Sequence, residues 1–453
     1  MNFAFILMFI LTSTLLLTAY EVSVSHENKL YATTLSKPQS ESGPLLKDPN
    51  LKASIVFSGI KFPSSMAFLG PDDILVLEKN EGTVKRIVNG VMLPDPLLKV
   101  NVSTIGERGM IGIAVTKENK VMAKPVYVFL YYTEALEERE LNNYDTDSRN
   151  RLYRYEFVDN KLVNPKLLLD LLAGPTFTHN GGVIVVGQDN NLYLTIGDTL
   201  NTNPQDKPLV DGTAGILRVD QEGNSVKNDS NRHILGNTHP SNKYYAYGIR
   251  NSFGLDFDPV TGNFWDTENG PTYGEEINLV EPGFNSGWSN IQGFWEGGDL
   301  NRIVLEPDDV LDFGGRLRYN SPEFASVPPL GLTALTFMDS DTFPQYYKDG
   351  FFAGDFHNGF LYYFELTPDR KALNLTGGLQ DKIANSTEEL QEYILGERFG
   401  AITDIEVGPD GYLYVLSLYQ GGDDCRVQRV PENCIGYTSQ LEGTIFKITP
   451  RQT

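Results

Sequence analysis

Basic residues, cysteines and long apolar segments are all scarce in this chain of 453 residues. Its 37 lysines and arginines stand against 59 aspartates and glutamates, which gives a formal net charge of −22. A surface of that sign repels phosphate backbones, so nucleic acid is excluded as a partner. No apolar run beyond residue 20 is long enough to span a bilayer, and no stretch has a long helical period.

Cysteine is limited to Cys425 and Cys434, nine residues apart in a turn-like stretch. In an exported protein such a pair is expected to form a disulfide that staples a short loop, worth about 3 kcal/mol at most. Two separate thiols are the alternative, and the spacing alone does not decide between them.

The one long apolar run lies at the amino terminus, from Phe3 to Leu17, and contains no charged side chain. Such a run is typical of an export signal or of a single membrane anchor. We therefore expect residues 1–20 to be a signal peptide or anchor, and the protein to be extracellular or held at the cell envelope. Residues 21–50 are polar and lack an apolar period, which predicts a flexible linker.

A single β unit recurs from residue 51 to residue 450. Each copy has an alternating strand, a turn, a second alternating strand and then a further strand pair. The clearest turns have the form Gly-X-Asp and begin at Gly70, Gly187 and Gly408. Three weaker copies bring the number of units to six. Radial repetition of four-stranded sheets explains this pattern, so we predict an all-β fold, a six-bladed β-propeller, and rank a tandem of β-sandwiches below it.

Polar loops of the predicted propeller carry groups with catalytic potential. His179 opens a strand beside two glycines, and Asp198 follows the next strand. A neutral histidine accepts a proton near pH 7, and a nearby carboxylate fixes its tautomer. Arg250 could stabilise a developing oxyanion. The structural alternatives are a histidine that caps backbone groups and an arginine that fixes a loop.

A third polar stretch contains the Gly270-Pro271 turn followed by Glu275 and Glu276. Backbone carbonyls and carboxylates are the oxygen ligands that a hard cation such as Ca²⁺ prefers. The spacing does not match a regular calcium-binding loop, and a solvated acidic loop is the alternative.

Taken together and in order, these motifs resemble the soluble glucose/sorbosone dehydrogenase family. The similarity extends from about Gly59 to Ile448. It rests on His179-X-Gly-Gly, Gly-Asp198, Gly-X-Arg250-Asn251-X-X-Gly, Glu-X-Gly270-Pro271, Glu276-Ile-Asn278, Asn285-X-Gly-Trp288 and Glu107-Arg-Gly-Met-Ile-Gly.

The resemblance implies a six-bladed propeller that binds pyrroloquinoline quinone (PQQ) and Ca²⁺ and oxidises the C1 hydroxyl of an aldose to a lactone. Electrons would pass to an external acceptor such as a quinone, a cytochrome or a copper protein. The resemblance assigns catalysis to His179 as general base, Asp198 as its orienting carboxylate and Arg250 as a polarising cation. It assigns cofactor binding to Glu107, Arg250, Asn251, His357 and Arg398. It assigns metal binding to the carbonyls of Gly270 and Pro271, and to Glu275 and Glu276 at a second, structural calcium position.

Three positions depart from the family pattern. His357 stands where the family has a lysine, and Ala401 and Thr403 stand where it has arginines that bind the carboxylates of the cofactor. We expect Arg398 to compensate in part, and arginine at positions 401 and 403 to tighten PQQ binding. A propeller of the same family that only binds a ligand or partner is the alternative function. A Ca²⁺-dependent hydrolase of lactones is a third, although the sequence shows no cluster of metal-binding carboxylates for it.

Overall fold

The computed structural model describes residues 43–116, 125–135, 148–199, 203–205, 210–228, 232–296, 310–418 and 442–451. By its internal contacts the chain divides into two units between Ser42 and Gly43. The strands and the site described below lie in the second unit, Gly43–Thr453. The predicted signal segment, most of the predicted linker and both cysteines lie outside the described residues.

Strands dominate the described residues, and the helices among them are single turns at Ser241–Lys243, Gln345–Tyr347 and Gly377–Leu379. None of these helices is long and apolar enough to cross a membrane. The strands are β1 Leu45–Leu46, β2 Leu51–Lys61, β3 Pro63–Gly70, β4 Asp73–Glu78, β5 Thr83–Val88, β6 Val91–Met92, β7 Leu98–Lys99, β8 Met110–Val115, β9 Tyr127–Glu134, β10 Arg149–Val158, β11 Lys161–Leu172, β12 Ile184–Val186, β13 Leu192–Ile196, β14 Gly215–Val219, β15 Tyr244–Tyr247, β16 Ser252–Phe257, β17 Phe264–Glu268, β18 Glu275–Val280, β19 Phe284–Asn285, β20 Ile291–Gln292, β21 Trp295–Glu296, β22 Arg318–Tyr319, β23 Phe324–Ser326, β24 Leu332–Phe337, β25 Gly350–Asp355, β26 Leu361–Glu365, β27 Ile383–Ala384, β28 Ile394–Glu397, β29 Ile402–Val407, β30 Leu413–Ser417 and β31 Glu442–Pro450.

Within the described residues these strands form six sheets of four or more strands and one two-stranded ribbon, β20–β21. In order of their first strands, the sheets are sheet 1 (β3-β4-β5-β6, with β7 beside β5), sheet 2 (β8-β9-β10-β11), sheet 3 (β12-β13-β14-β15-β19-β22), sheet 4 (β16-β17-β18-β23-β27), sheet 5 (β24-β25-β26-β28-β1) and sheet 6 (β29-β30-β31-β2). The first two strands of every sheet pair antiparallel.

The first strands of the six sheets, β3, β8, β12, β16, β24 and β29, contact one another in a closed ring. A cavity of about 60 Å³ at the centre of the ring is lined by residues from all six strands or from the residues that adjoin them. Sheets arranged radially around a channel are a β-propeller, so the predicted all-β propeller arrangement is confirmed.

The ring is closed by chain segments that are far apart in the sequence. β2 pairs with β31 over nine residue pairs, so the amino-terminal strand completes sheet 6. β1 pairs with β28, and this pairing makes residues 45–46 the outer strand of sheet 5. The predicted linker therefore extends too far, because part of residues 43–50 forms strand in the propeller.

The predicted Gly-X-Asp turns connect the first two strands of sheets 1, 3 and 6. In sheets 3 and 6 the aspartate also holds a tyrosine four residues later. Asp189 accepts a hydrogen bond from the Tyr193 hydroxyl at 3.0 Å, and Asp410 accepts one from the Tyr414 hydroxyl at 2.9 Å. The same short motif thus builds the same turn in two repeats.

Candidate active site at one end of the channel

Antiparallel pairing of the first two strands decides where the predicted site residues lie. The start of a first strand and the end of a second strand are at the same edge of a sheet. His179 and the Arg250-Asn251 pair precede first strands, whereas Asp198 and the Gly270-Pro271 turn follow second strands. All of them are therefore at one end of the channel, as the family resemblance requires.

His179 and Asp198 form a buried pair, each about 5% exposed. The Nδ1 atom of His179 lies 2.6 Å from Oδ1 of Asp198, which is the predicted hydrogen bond. The other carboxylate oxygen, Oδ2, accepts a hydrogen bond from the indole Nε1 of Trp288 at 2.6 Å. With its Nδ1–H donated to Asp198, the neutral imidazole presents Nε2 as the nitrogen that accepts a proton.

Glu107 fixes the backbone of His179. His179 has a φ of 59°, a left-handed conformation that costs a non-glycine residue about 1 kcal/mol. The Oε2 atom of Glu107 accepts hydrogen bonds from the amides of His179 at 2.6 Å and Asn180 at 3.3 Å, and from Nδ2 of Asn251 at 3.2 Å. Glu107 is thus joined to protein donors, and its observed role is to hold the loop of His179 in place.

The side chain of Asn251 is also hydrogen-bonded to protein groups. Besides its bond to Glu107, its Oδ1 accepts from the amide of Gly181 at 3.3 Å, and the residue is 2% exposed. The sequence-based assignment made Asn251 a direct contact of the cofactor. The structure gives its side chain a bridging role between two loops.

Arg250 lies beside the His179–Asp198 pair. Its Nη1 donates to the carbonyl of Asn269 at 2.8 Å, and its guanidinium carbon is 5.3 Å from the ring centre of Trp288. Burial lowers the pKa of Arg250, while the negative charges of Asp198 and Glu107 act to raise it. The buried Nε of Arg250 has no hydrogen-bond partner in the described part of the chain. A buried donor of this kind is suited to a ligand oxygen.

Gly197 lets these loops meet. A Cβ atom at this position would lie 2.5 Å from the carbonyl oxygen of His179 and 2.6 Å from that of Arg250. Both neighbours are backbone atoms, which cannot move away as a side chain can. Only glycine at the end of this strand allows the two loops to approach the channel together.

Glu275 and Glu276 have different hydrogen-bond partners. They are adjacent in β18, and successive side chains of a strand point to opposite faces. Oε2 of Glu275 accepts from Nδ2 of Asn269 at 3.0 Å, whereas Glu276 accepts from Ser286 at 3.1 Å and from the amide of Gly293 at 2.5 Å. The two carboxylates therefore have different surroundings, and their assignment to a second calcium position stays a prediction.

Gly270 is buried and Pro271 is exposed at the turn that follows β17. Burial raises the pKa of Glu275, which follows that turn, to about 7. In the part of the chain that the structure describes, no group of three or more histidines, cysteines, aspartates or glutamates is placed to hold a metal ion. Calcium at this turn, with the backbone carbonyls of Gly270 and Pro271 as donors, stays a prediction.

The positions that depart from the family pattern differ in their surroundings. Ala401 is fully buried in an apolar cluster with Phe62, Leu418 and Phe356. Thr403 is half-buried and lines the channel cavity. Arg398 is exposed, and the ring of His357 packs against Gly331. An arginine at position 401 would enter this apolar cluster, which argues against the expectation that it tightens PQQ binding.

The family model for glucose/sorbosone dehydrogenases matches residues 60–426, most of the chain. This protein belongs to the glucose/sorbosone dehydrogenase family. An aldose sugar dehydrogenase of Escherichia coli is 24% identical over 377 residues, covering 81% of this chain and 89% of that protein. A quinoprotein glucose dehydrogenase of Acinetobacter calcoaceticus is 26% identical over 276 residues, covering 55% of this chain and 54% of that protein.

Solved structures share the fold of this glucose/sorbosone dehydrogenase family member. The apo form of the soluble aldose sugar dehydrogenase of Escherichia coli has a TM-score of 0.64 at 20% identity, covering 88% of this chain and 100% of that one. The PQQ-bound form of an aldose sugar dehydrogenase from Streptomyces coelicolor has a TM-score of 0.58 at 19% identity, covering 89% of this chain and 99% of that one.

Sequence reasoning about this family member missed two groups at the site. Trp288 was part of the recognised motifs, but its hydrogen bond to Asp198 is set by the loop after β19. Lys79 follows the second strand of sheet 1, much as Asp198 follows the second strand of sheet 3. Aligning the repeats at the ends of their second strands is the signal that points to Lys79.

Replacing Trp288 by phenylalanine should lower the free energy of unfolding by about 2 kcal/mol, because a hydrogen bond to a buried carboxylate is lost. Trp265→Phe is the matched control, since Trp265 is fully buried and its Nε1 has no hydrogen-bond partner in the described residues. Urea unfolding of both variants measures the difference. If the two substitutions reduce stability equally after allowance for cavity size, the Trp288–Asp198 bond does not stabilise the site.

Proposed function

We propose that this protein is a PQQ- and Ca²⁺-dependent dehydrogenase on a six-bladed propeller, each of the six sheets being one blade. Its reaction is oxidation of the C1 hydroxyl of an aldose to a lactone, with electrons passed to an external acceptor. The observation that carries the proposal is the buried His179–Asp198 pair beside Arg250 at one end of the channel, in a member of this family.

His179 is the base in this reaction. Asp198 holds Nδ1–H, so Nε2 takes the proton of the sugar hydroxyl, and the imidazolium that forms is stabilised by the same carboxylate. PQQ, when bound, supplies the two-electron acceptor for the hydrogen at the sugar carbon. Arg250 places positive charge and a buried N–H donor at the end of the channel where negative charge develops.

The donors at the site fit the quinone end of PQQ better than its carboxylate end. Arg250 offers an unused buried donor, and His179 is held by two carboxylates. Position 401 is apolar and position 403 carries a hydroxyl, so two family cations are missing where the cofactor carboxylates bind. Each charge-assisted hydrogen bond is worth about 1.5–3 kcal/mol, and we therefore propose weaker PQQ binding than in relatives that keep them.

The apolar cluster around Ala401 is also the observation that favours a second function, a propeller that binds a ligand without catalysis. The buried His179–Asp198 pair speaks against it, because burying two titratable groups at a channel mouth is costly without a chemical use. Export by residues 1–20, with cleavage or membrane anchoring, remains our proposal for the location of the protein.

Purified protein supplied with PQQ and Ca²⁺ should oxidise at least one aldose in a panel, read as reduction of an artificial acceptor dye. Omitting PQQ should abolish the signal, and a chelator should abolish it reversibly, because the metal polarises the quinone in this chemistry. Saturable PQQ binding without dye reduction by any aldose would support the binding function. No PQQ binding at high micromolar concentration would exclude the proposed enzyme.

A further inference from the structure

Lys79 is a buried lysine at the same end of the channel as His179. It follows β4 and is 5% exposed. Its amide donates to the carbonyl of Phe62 at 3.0 Å, and its carbonyl accepts from the amide of Met110 at 2.9 Å. The backbone of Lys79 thus joins the starts of the first strands of sheets 1 and 2.

Within the part of the chain that the structure describes, the ammonium group of Lys79 has hydrogen-bond acceptors but no ion-pair partner. Its Nζ donates to the carbonyl of Gly106 at 2.8 Å and to Oδ1 of Asn80 at 3.0 Å, and lies 4.9 Å from the ring centre of Phe62. No carboxylate oxygen of the described residues lies within 4.0 Å. Burial lowers the pKa of Lys79 to about 7, while the charge of Glu107 acts to raise it.

A buried ammonium without an ion pair lowers stability, and an apolar side chain of similar length avoids that cost. A purely structural position is therefore better filled by methionine. The presence of a lysine here instead points to a use for its charge.

Glu107 is the carboxylate whose negative charge acts to raise the pKa of Lys79. Glu78, next to Lys79 in the chain, instead accepts from the Thr83 hydroxyl at 2.6 Å, and Lys61 lies 3.9 Å from Glu81. Arg108 donates to the carbonyls of Gly174 and Thr176. The ammonium of Lys79 thus binds the carbonyl of Gly106, the residue immediately before Glu107, and Glu107 in turn holds the loop of His179.

We propose that Lys79 is a positioning residue, whose ammonium fixes the Gly106–Glu107 loop through its hydrogen bond to the carbonyl of Gly106, so that Glu107 holds the backbone of His179 and the side-chain amide of Asn251. An effect of Lys79 on turnover rests on the proposed function. Its effect on the Glu107–His179 hydrogen bond does not depend on that function.

The first test measures thermal stability as a function of pH. It compares wild type with Lys79→Met, with Lys79→Arg and with Lys52→Met, a control at an exposed position. The pKa of Lys79 in the folded state, about 7, lies below that of the unfolded chain. The cost of burying the charge is therefore complete below pH 7 and declines as the pH rises towards the unfolded value. The thermal midpoint of Lys79→Met relative to wild type should be higher at pH 6 than at pH 9. A difference independent of pH would overturn the burial argument.

The second test is independent of turnover. In amide NMR spectra the proton of His179, which is donated to Glu107, should move upfield in Lys79→Met and stay near its wild-type position in Lys79→Arg. An unchanged His179 amide in Lys79→Met would overturn the positioning role even if no aldose is oxidised.

Turnover supplies the third test where the wild type is active. Lys79→Met should lower kcat by about 10-fold or more with little change in KM, because geometry rather than binding is lost. Wild-type kcat should fall as the pH rises above 7, and Lys79→Arg should retain turnover at pH 9 because arginine stays protonated. Equal pH profiles for Lys79→Met and Lys79→Arg would contradict a role for the charge. A wild type that oxidises no aldose counts against the proposed function alone.

Discussion

His179→Asn should reduce aldose turnover by about 10³-fold while leaving the propeller folded. General base catalysis typically contributes roughly 10²–10⁴-fold, and asparagine keeps a polar group near Asp198 but cannot take up the proton. Steady-state kcat with the best aldose measures the loss, and thermal unfolding checks the fold. His233→Asn is the matched control, because His233 lies on the connection between β14 and β15, outside the candidate site.

Asp198→Asn distinguishes a catalytic pair from a structural one. Asparagine preserves the size of the side chain but removes the charge that stabilises the imidazolium, so turnover should fall by about 10²-fold or more. His179→Asn and Asp198→Asn together should cost little more than His179→Asn alone, since the two groups act as a unit. Full activity in His179→Asn would remove His179 from the mechanism, and full activity in Asp198→Asn would make the pair structural.

Ala401→Arg should lower the free energy of unfolding by about 3 kcal/mol or more instead of tightening PQQ binding. Ala401 is fully buried against Phe62, Phe356 and Leu418, so an arginine here either overpacks the cluster or buries a charge without a partner. It also displaces the ring of Phe62, over which the ammonium of Lys79 lies. Denaturant unfolding measures the loss.

Thr403→Arg is the comparison for Ala401→Arg. Thr403 is half-buried and faces the channel, where a long side chain can extend, so this variant should fold with nearly wild-type stability and bind PQQ more tightly. Isothermal titration with PQQ measures both variants. Tighter binding in a stable Ala401→Arg variant would mean that the cluster opens towards the cofactor.

The repeated turns made much of the fold predictable from the sequence. A Gly-X-Asp turn between alternating strands depends on neighbouring residues only, so the hairpins that begin near Gly70, Gly187 and Gly408 could be recognised locally. The pairing of β2 with β31 joins segments almost 400 residues apart, and no local pattern indicates it. The same holds for β1, which was predicted as linker.

The part of the candidate site that could be predicted from the sequence is the set of side chains whose chemistry is evident from their residue type and motif. His179, Asp198 and Arg250 follow from their motifs, and the structure brings them together. The family resemblance assigned Glu275 and Glu276 to a second calcium position, and the alternation of β18 directs their side chains to opposite faces of the strand, which no motif indicates. Lys79 is part of no recognised motif, and its importance follows from burial and from Glu107, which only the folded chain reveals.

A single-turnover experiment tests the central claim most directly, without any external acceptor. Calcium-loaded protein saturated with PQQ is mixed rapidly with the best aldose, and the absorbance of the bound cofactor is followed. We expect reduction of one equivalent of cofactor per active site in the wild type and in His233→Asn but not in His179→Asn, at a rate that rises with sugar concentration to a plateau. Bound cofactor that stays oxidised in the wild type with every aldose would contradict the account.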